Sequence, residues 1–146
     1  MNTTVKVISF GVISGLIWSV IPGVLGDLFR SGAESIEVII AGLLTGIIVS
    51  LALKSPLQKF GKAGTLIIGL LSLPFGAFVF GFIFSVLQPS GSFIDSQYGI
   101  SNALQIAVEY AILSVISIFF IVLLPFAILT TFVLRHIIHS RGKSAN

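Results

Sequence analysis

The apolar run over residues 110–134 constrains this chain most, because its 25 residues contain no Asp, Glu, Lys, Arg, Asn, Gln or His. A helix rises about 1.5 Å per residue, so this run outspans the hydrocarbon core of a bilayer, which is roughly 30 Å thick. Three further apolar runs precede it, over residues 7–26, 38–53 and 63–87. The sequence therefore predicts an all-α polytopic membrane protein, a bundle of four transmembrane helices arranged as two helical hairpins.

The composition agrees with lipid as the surrounding medium. The chain is 55% hydrophobic and 9% charged, with a mean hydropathy of +1.13, whereas a soluble domain carries about 25% charged residues. The net charge of +3 is concentrated at predicted helix ends, so we expect no nucleic-acid partner. Cysteine is absent, which excludes disulfides, thiolate nucleophiles and cysteine-ligated metals.

We expect a single transmembrane domain over residues 1–146. Its helices are predicted at about 5–29, 36–54, 62–87 and 103–136, with an external loop over 88–102 and a cytoplasmic tail over 137–146. The first apolar run also has the basic start of a signal peptide. It is longer than the usual hydrophobic region, and no small-x-small cleavage site follows it, so we interpret it as a retained helix.

The distribution of basic residues predicts the orientation. Seven of the eight Lys and Arg residues fall on the side of the termini and of the 54–62 loop, and Arg30 alone falls on the other side. Cytoplasmic loops carry such an excess of Lys and Arg. We therefore expect a multi-pass protein of the plasma (inner) membrane, with both termini cytoplasmic.

Small residues recur every four positions along the first two helices, a glycine-zipper pattern. Such a stripe forms a groove in which another helix backbone can pack closely. Two interpretations stay open: the stripes serve packing within one chain, or they leave a face for self-association or for another membrane subunit. The candidate helix-packing residues are Gly11, Gly15, Ser19, Gly23, Gly42, Gly46 and Ser50.

Two prolines and a polar stripe are the other candidate features. Pro74 and Pro125 lie about 14–17 Å from the predicted cytoplasmic helix ends, where they are candidate kinks and could mark a hinge or be tolerated without a role. The polar stripe on the fourth helix either projects above the membrane or contributes to a cation-attracting pore mouth. The candidate mouth residues are Asn102, Gln105, Glu109, Asp27 and Glu37.

Catalysis is not expected. His136 and His139 are the only histidines and lie at the predicted cytoplasmic end, whereas the carboxylates lie near the opposite face. The two sets are thus separated by about 30 Å of membrane, while proton transfer needs groups about 3 Å apart. No catalytic, metal or cofactor site is therefore predicted.

The leading functional hypothesis is an assembly or interaction subunit of a membrane complex, acting through helix packing with itself or with another subunit. The alternative is a homo-oligomeric ion channel or small-solute transporter. A third hypothesis, a small membrane-disrupting or membrane-protecting protein, agrees with the size of the chain but has no positive sequence feature.

Overall fold

In a computed structural model the chain is all-helical. The structure describes residues 2–28, 36–87, 99–116 and 120–140, with the backbone alone for 21–28, and this part contains no strand. Each described helix is long and apolar enough to cross a membrane, as in a membrane-embedded protein. The helices are α1 (Thr3–Leu28), α2 (Ile36–Lys59), α3 (Lys62–Leu87), α4 (Gly99–Ile116) and α5 (Phe120–His139).

The predicted count of four helices is wrong by one, because the expected helix over 103–136 is two helices, α4 and α5. A single helix of that length would measure about 51 Å, far more than the hydrocarbon core. Both helices pack on α3 and hardly touch each other. The Cα of Ala107 in α4 approaches Gly81, and Ile128 in α5 approaches Gly69. Thus α4 follows the C-terminal half of α3, and α5 follows its N-terminal half.

Helix α2 continues beyond the predicted end at residue 54 and includes Pro56. Proline removes one backbone donor from a helix and strains the preceding turn. The cost is offset here by Leu57, which is fully buried. The amide of Phe60 donates to the carbonyl of Pro56 at 3.0 Å, which completes the last turn.

One end of the bundle joins three helices through a small apolar core. Val7 of α1, Leu57 of α2, and Leu134 and Ile138 of α5 form this buried cluster. Phe10, Leu53 and Ile68 pack around it. The start of α1, the end of α2 and the end of α5 therefore meet at the same end of the molecule, which we call the basic end because it carries Lys6, Lys54, Lys59, Lys62 and Arg135.

The outer surface of the bundle is apolar. Ile116 and Ile121 are 75% and 74% exposed, and large aliphatic side chains are exposed along every described helix. Contiguous apolar surface of this extent is rare on soluble monomers. In lipid the same surface is solvated, so the exposed faces and the buried small residues are consistent with a membrane protein.

Candidate functional site

The glycines of α1 and α2 face each other across a very close contact. A Cβ added at Gly11 would lie 2.8 Å from the carbonyl oxygen of Gly46, and one added at Gly46 would lie 2.6 Å from the Cα of Gly15. A Cβ at Gly15 would lie 3.0 Å from the Cα of Leu43 and nearer still to the carbonyl oxygen of Gly42. These neighbours are backbone atoms, so no side chain larger than hydrogen fits. In this structure the glycine stripes pair with each other inside one chain.

Two serines extend the same stripes. Ser19 is buried and packs its Cβ toward Gly42, while its hydroxyl donates to the carbonyl of Leu16 at 2.7 Å. Ser50 of α2 is also buried. The surroundings of Gly23 lie outside the described residues.

Small residues also form the contacts of α3 with α4. A Cβ at Gly81 would lie 3.0 Å from the Cβ of Tyr110 and 3.1 Å from the Cα of Ala107. The rings of Phe80 and Phe84 stack on each other at a centroid distance of 5.8 Å, and the Tyr110 ring is tilted against both, at 5.9 and 6.4 Å. Aromatic contacts in this range add to packing. This aromatic cluster packs α4 against the C-terminal half of α3.

An open apolar groove lies between α3 and α4, beside Pro74. Its volume is about 400 Å³ and its lining exposes no polar surface. The groove exists because Ala111 is small and because α4 ends at Ile116. Helix α5 then packs along a different part of α3. The lining residues are Pro74, Phe78, Val108, Ala111, Ile112, Val115 and Ile116.

The polar residues predicted for a pore mouth lie on the surface of α4. Asn102, Gln105 and Glu109 are exposed, and the amide of Gln105 donates to the Glu109 carboxylate at 3.0 Å. Glu37 is half-buried in the first turn of α2 and shares no hydrogen bond with Glu109 within the described chain. The Asp27 side chain lies outside the described residues. The pore mouth stays a prediction.

The two predicted kink positions lie inside uninterrupted helices, Pro74 in α3 and Pro125 in α5. Hydroxyl groups near them bond to their own helices. Ser72 donates to the carbonyl of Gly69 at 2.8 Å, and Thr131 donates to that of Ala127 at 2.7 Å. The two hydroxyl oxygens are 3.5 Å apart between α3 and α5. Both hydroxyls are bonded within their own helices and pack against each other between α3 and α5.

The described residues hold no group of three or more His, Asp or Glu side chains that could share a metal ion. His136 and His139 are exposed near the basic end, where the Nδ1 atom of His139 lies 3.0 Å from the carbonyl oxygen of Arg135.

Sequence reasoning missed the groove, because it depends on where α4 stops. The available signal is the spacing of Ala103, Ala107 and Ala111 together with Pro74. The first two alanines are fully buried against α3, and Ala111 lines the groove.

Comparison with models of protein families, with curated proteins and with solved structures finds no match to this chain. Its function therefore has to follow from its own geometry.

Proposed function

We propose that this chain is an integral membrane protein without catalytic activity that works as an assembly subunit, binding a second copy of itself along α4. One observation carries the proposal. Helix α4 packs against α3 and has almost no contact with the other described helices. A transmembrane helix held on one side only has a long apolar surface available for another helix.

The chemistry of the groove favours a helix over a polar ligand. Pockets for small molecules combine an apolar lining with a few polar groups that orient the ligand. The lining of this groove is wholly apolar. Helices in lipid associate through close packing of apolar and small residues, and Ala111 and Pro74 provide a recess of that kind.

The shape of the same face favours a second copy. A two-fold interface uses one patch on both subunits, so the patch must carry both a projection and a recess. Ile112 and Ile116 line the groove and form its exposed rim, since their side chains are 50% and 75% exposed. Each copy can therefore insert these side chains into the groove of the other.

The glycine stripes support this choice of surface indirectly. Gly11, Gly15, Gly42 and Gly46 already pack against each other between α1 and α2, so an assembly through them would require that pair of helices to separate. The α4 face requires no such rearrangement. We further infer a plasma-membrane location with both termini cytoplasmic, which the concentration of lysines and Arg135 at the basic end supports.

Single-cysteine cross-linking tests the proposal, because the natural chain has no cysteine. Ile112→Cys places a thiol on the α4 face, and Ile13→Cys places one on the exposed face of α1. In membranes treated with an oxidant, Ile112→Cys should give a covalent dimer, while Ile13→Cys should stay monomeric. A lipid-permeant maleimide should label both variants and so establish that both thiols react.

Two results would count against an assembly along α4. One is a monomeric Ile112→Cys chain whose thiol is fully reactive. The other is equal cross-linking of Ile112→Cys and Ile13→Cys, which random collision in the membrane would produce.

A further inference from the structure

Three cations at the basic end lie around the seam, by which we mean the place where α1, α2 and α5 meet. Lys6 lies one helical turn before Phe10, Lys54 one turn before Leu57, and Arg135 one turn before Ile138. Phe10, Leu57 and Ile138 belong to or pack on the same apolar cluster. Residues one turn apart share a face of a helix, so the three cations are brought together around the seam where α1, α2 and α5 meet.

A hydrogen bond joins two of these helices at the same place. The Lys54 ammonium donates to the Thr4 hydroxyl at 2.8 Å. This bond draws the lysine toward the first turn of α1 and uses one of its three donors. The Thr4 hydroxyl accepts from Lys54, so its own proton can be donated to a further acceptor.

These charges have no carboxylate partner in the described part of the chain. Neither Lys6 nor the Arg135 guanidinium has a side-chain hydrogen bond to a described residue, and no ion pair is formed there. The described carboxylates are far away. Glu37 lies in the first turn of α2, about 25 Å along that helix from Lys54. Glu109 of α4 lies near the level of Gly81, which is about 28 Å along α3 from Lys62.

Burial makes the missing counter-charge significant. Lys6, Lys54 and Arg135 are half-buried, whereas Lys59 and Lys62 are exposed. An exposed lysine is solvated by water at little cost, but a half-buried cation loses part of its hydration and gains more from an anion. The first three are therefore the cations best suited to hold one.

We propose that the basic end binds the headgroup of an anionic phospholipid, with Lys6, Lys54 and Arg135 around the phosphate and Thr4 as an additional donor. A lipid is favoured over a free anion because exposed Val5, Ile8 and Val133 lie within one turn of these residues. They offer a hydrocarbon surface for acyl chains next to the charges. The Arg135 guanidinium can engage two phosphate oxygens at once.

Native mass spectrometry of the purified full-length chain in mild detergent provides the test. Dioleoyl phosphatidylglycerol should bind roughly a hundredfold more tightly than dioleoyl phosphatidylcholine, because each of the three basic residues near the headgroup changes affinity by about fivefold. Millimolar inorganic phosphate should not displace the bound lipid. Equal affinity for the two lipids, or displacement by phosphate, would overturn the proposal.

Two double variants separate a built site from general charge attraction. Lys54→Gln with Arg135→Gln should weaken phosphatidylglycerol binding about 25-fold. Lys59→Gln with Lys62→Gln removes the same charge from exposed positions and should weaken it less than about threefold. Equal weakening by both pairs would contradict a site at the seam. Lys54→Arg with Arg135→Lys keeps the charge and should retain binding. This variant tests the site even if the double Gln variant fails to fold.

Discussion

At the residue scale, Gly15 is one of the positions where the backbones of α1 and α2 leave no room for a side chain. A Cβ there would meet the carbonyl of Gly42 and lie 3.0 Å from the Cα of Leu43. Backbone atoms cannot move aside as a flexible side chain can, so Gly15→Ala should lower stability by about 1–3 kcal/mol, the usual cost of overpacking. Thermal unfolding in detergent, followed by circular dichroism, measures it.

Gly61→Ala is the matched control, because nothing lies within 4 Å of a Cβ at Gly61. Its unfolding temperature should stay near that of the natural chain. If Gly15→Ala and Gly61→Ala unfold at the same temperature, the close approach of α1 and α2 is not a determinant of stability.

The same glycines show how far residue patterns reach. The four-residue spacing of Gly11 and Gly15, and of Gly42 and Gly46, predicts that some backbone comes close. The spacing does not identify that backbone, because the same groove can hold the next helix of the chain or a helix of another chain. That information lies in the length of the connection and in the packing of the remaining helices.

At the element scale, the division between α4 and α5 could not be read from the sequence. The run over 110–134 has no glycine, and its one proline, Pro125, lies within α5 rather than at the division. The division follows from tertiary packing. Ala107 contacts α3 at Gly81 and Ile128 contacts it at Gly69, and one straight helix could not make both contacts. Helix α3, by contrast, follows from a continuous apolar stretch bounded by Lys62 and Gln88.

The groove left by this division gives a prediction for α4. Ala111→Leu adds a side chain that the groove of about 400 Å³ can hold, so the monomer should fold with little change in stability. The added side chain fills the recess that a second copy would use. Light scattering of the detergent-extracted protein should therefore show a shift from dimer to monomer.

Ala52→Leu is the control for added bulk, because Ala52 is exposed on α2. It should leave the mass of the particle unchanged. A dimer that persists in Ala111→Leu would mean that α4 does not form the interface.

At the scale of the whole molecule, the two ends of the bundle differ in chemistry. The basic end gathers Lys6, Lys54 and Arg135 around buried aliphatic side chains, while the exposed polar pair Gln105 and Glu109 lies toward the other end of α3. In membrane proteins, Lys and Arg are concentrated on the cytoplasmic side. The asymmetry therefore predicts a single orientation.

Whether α4 and α5 cross the membrane together or separately decides the side of the C-terminus. Val7 of α1 and Ile138 of α5 share one cluster, so we expect α4 and α5 to complete a single crossing that returns the chain to its starting side. Cysteines introduced singly at Asn2, Asn102 and Ser140, all exposed, test this with a membrane-impermeant maleimide. Asn102→Cys should be labelled on intact cells, and Asn2→Cys and Ser140→Cys only after permeabilisation. Labelling of Ser140→Cys without Asn2→Cys on intact cells would instead show two separate crossings.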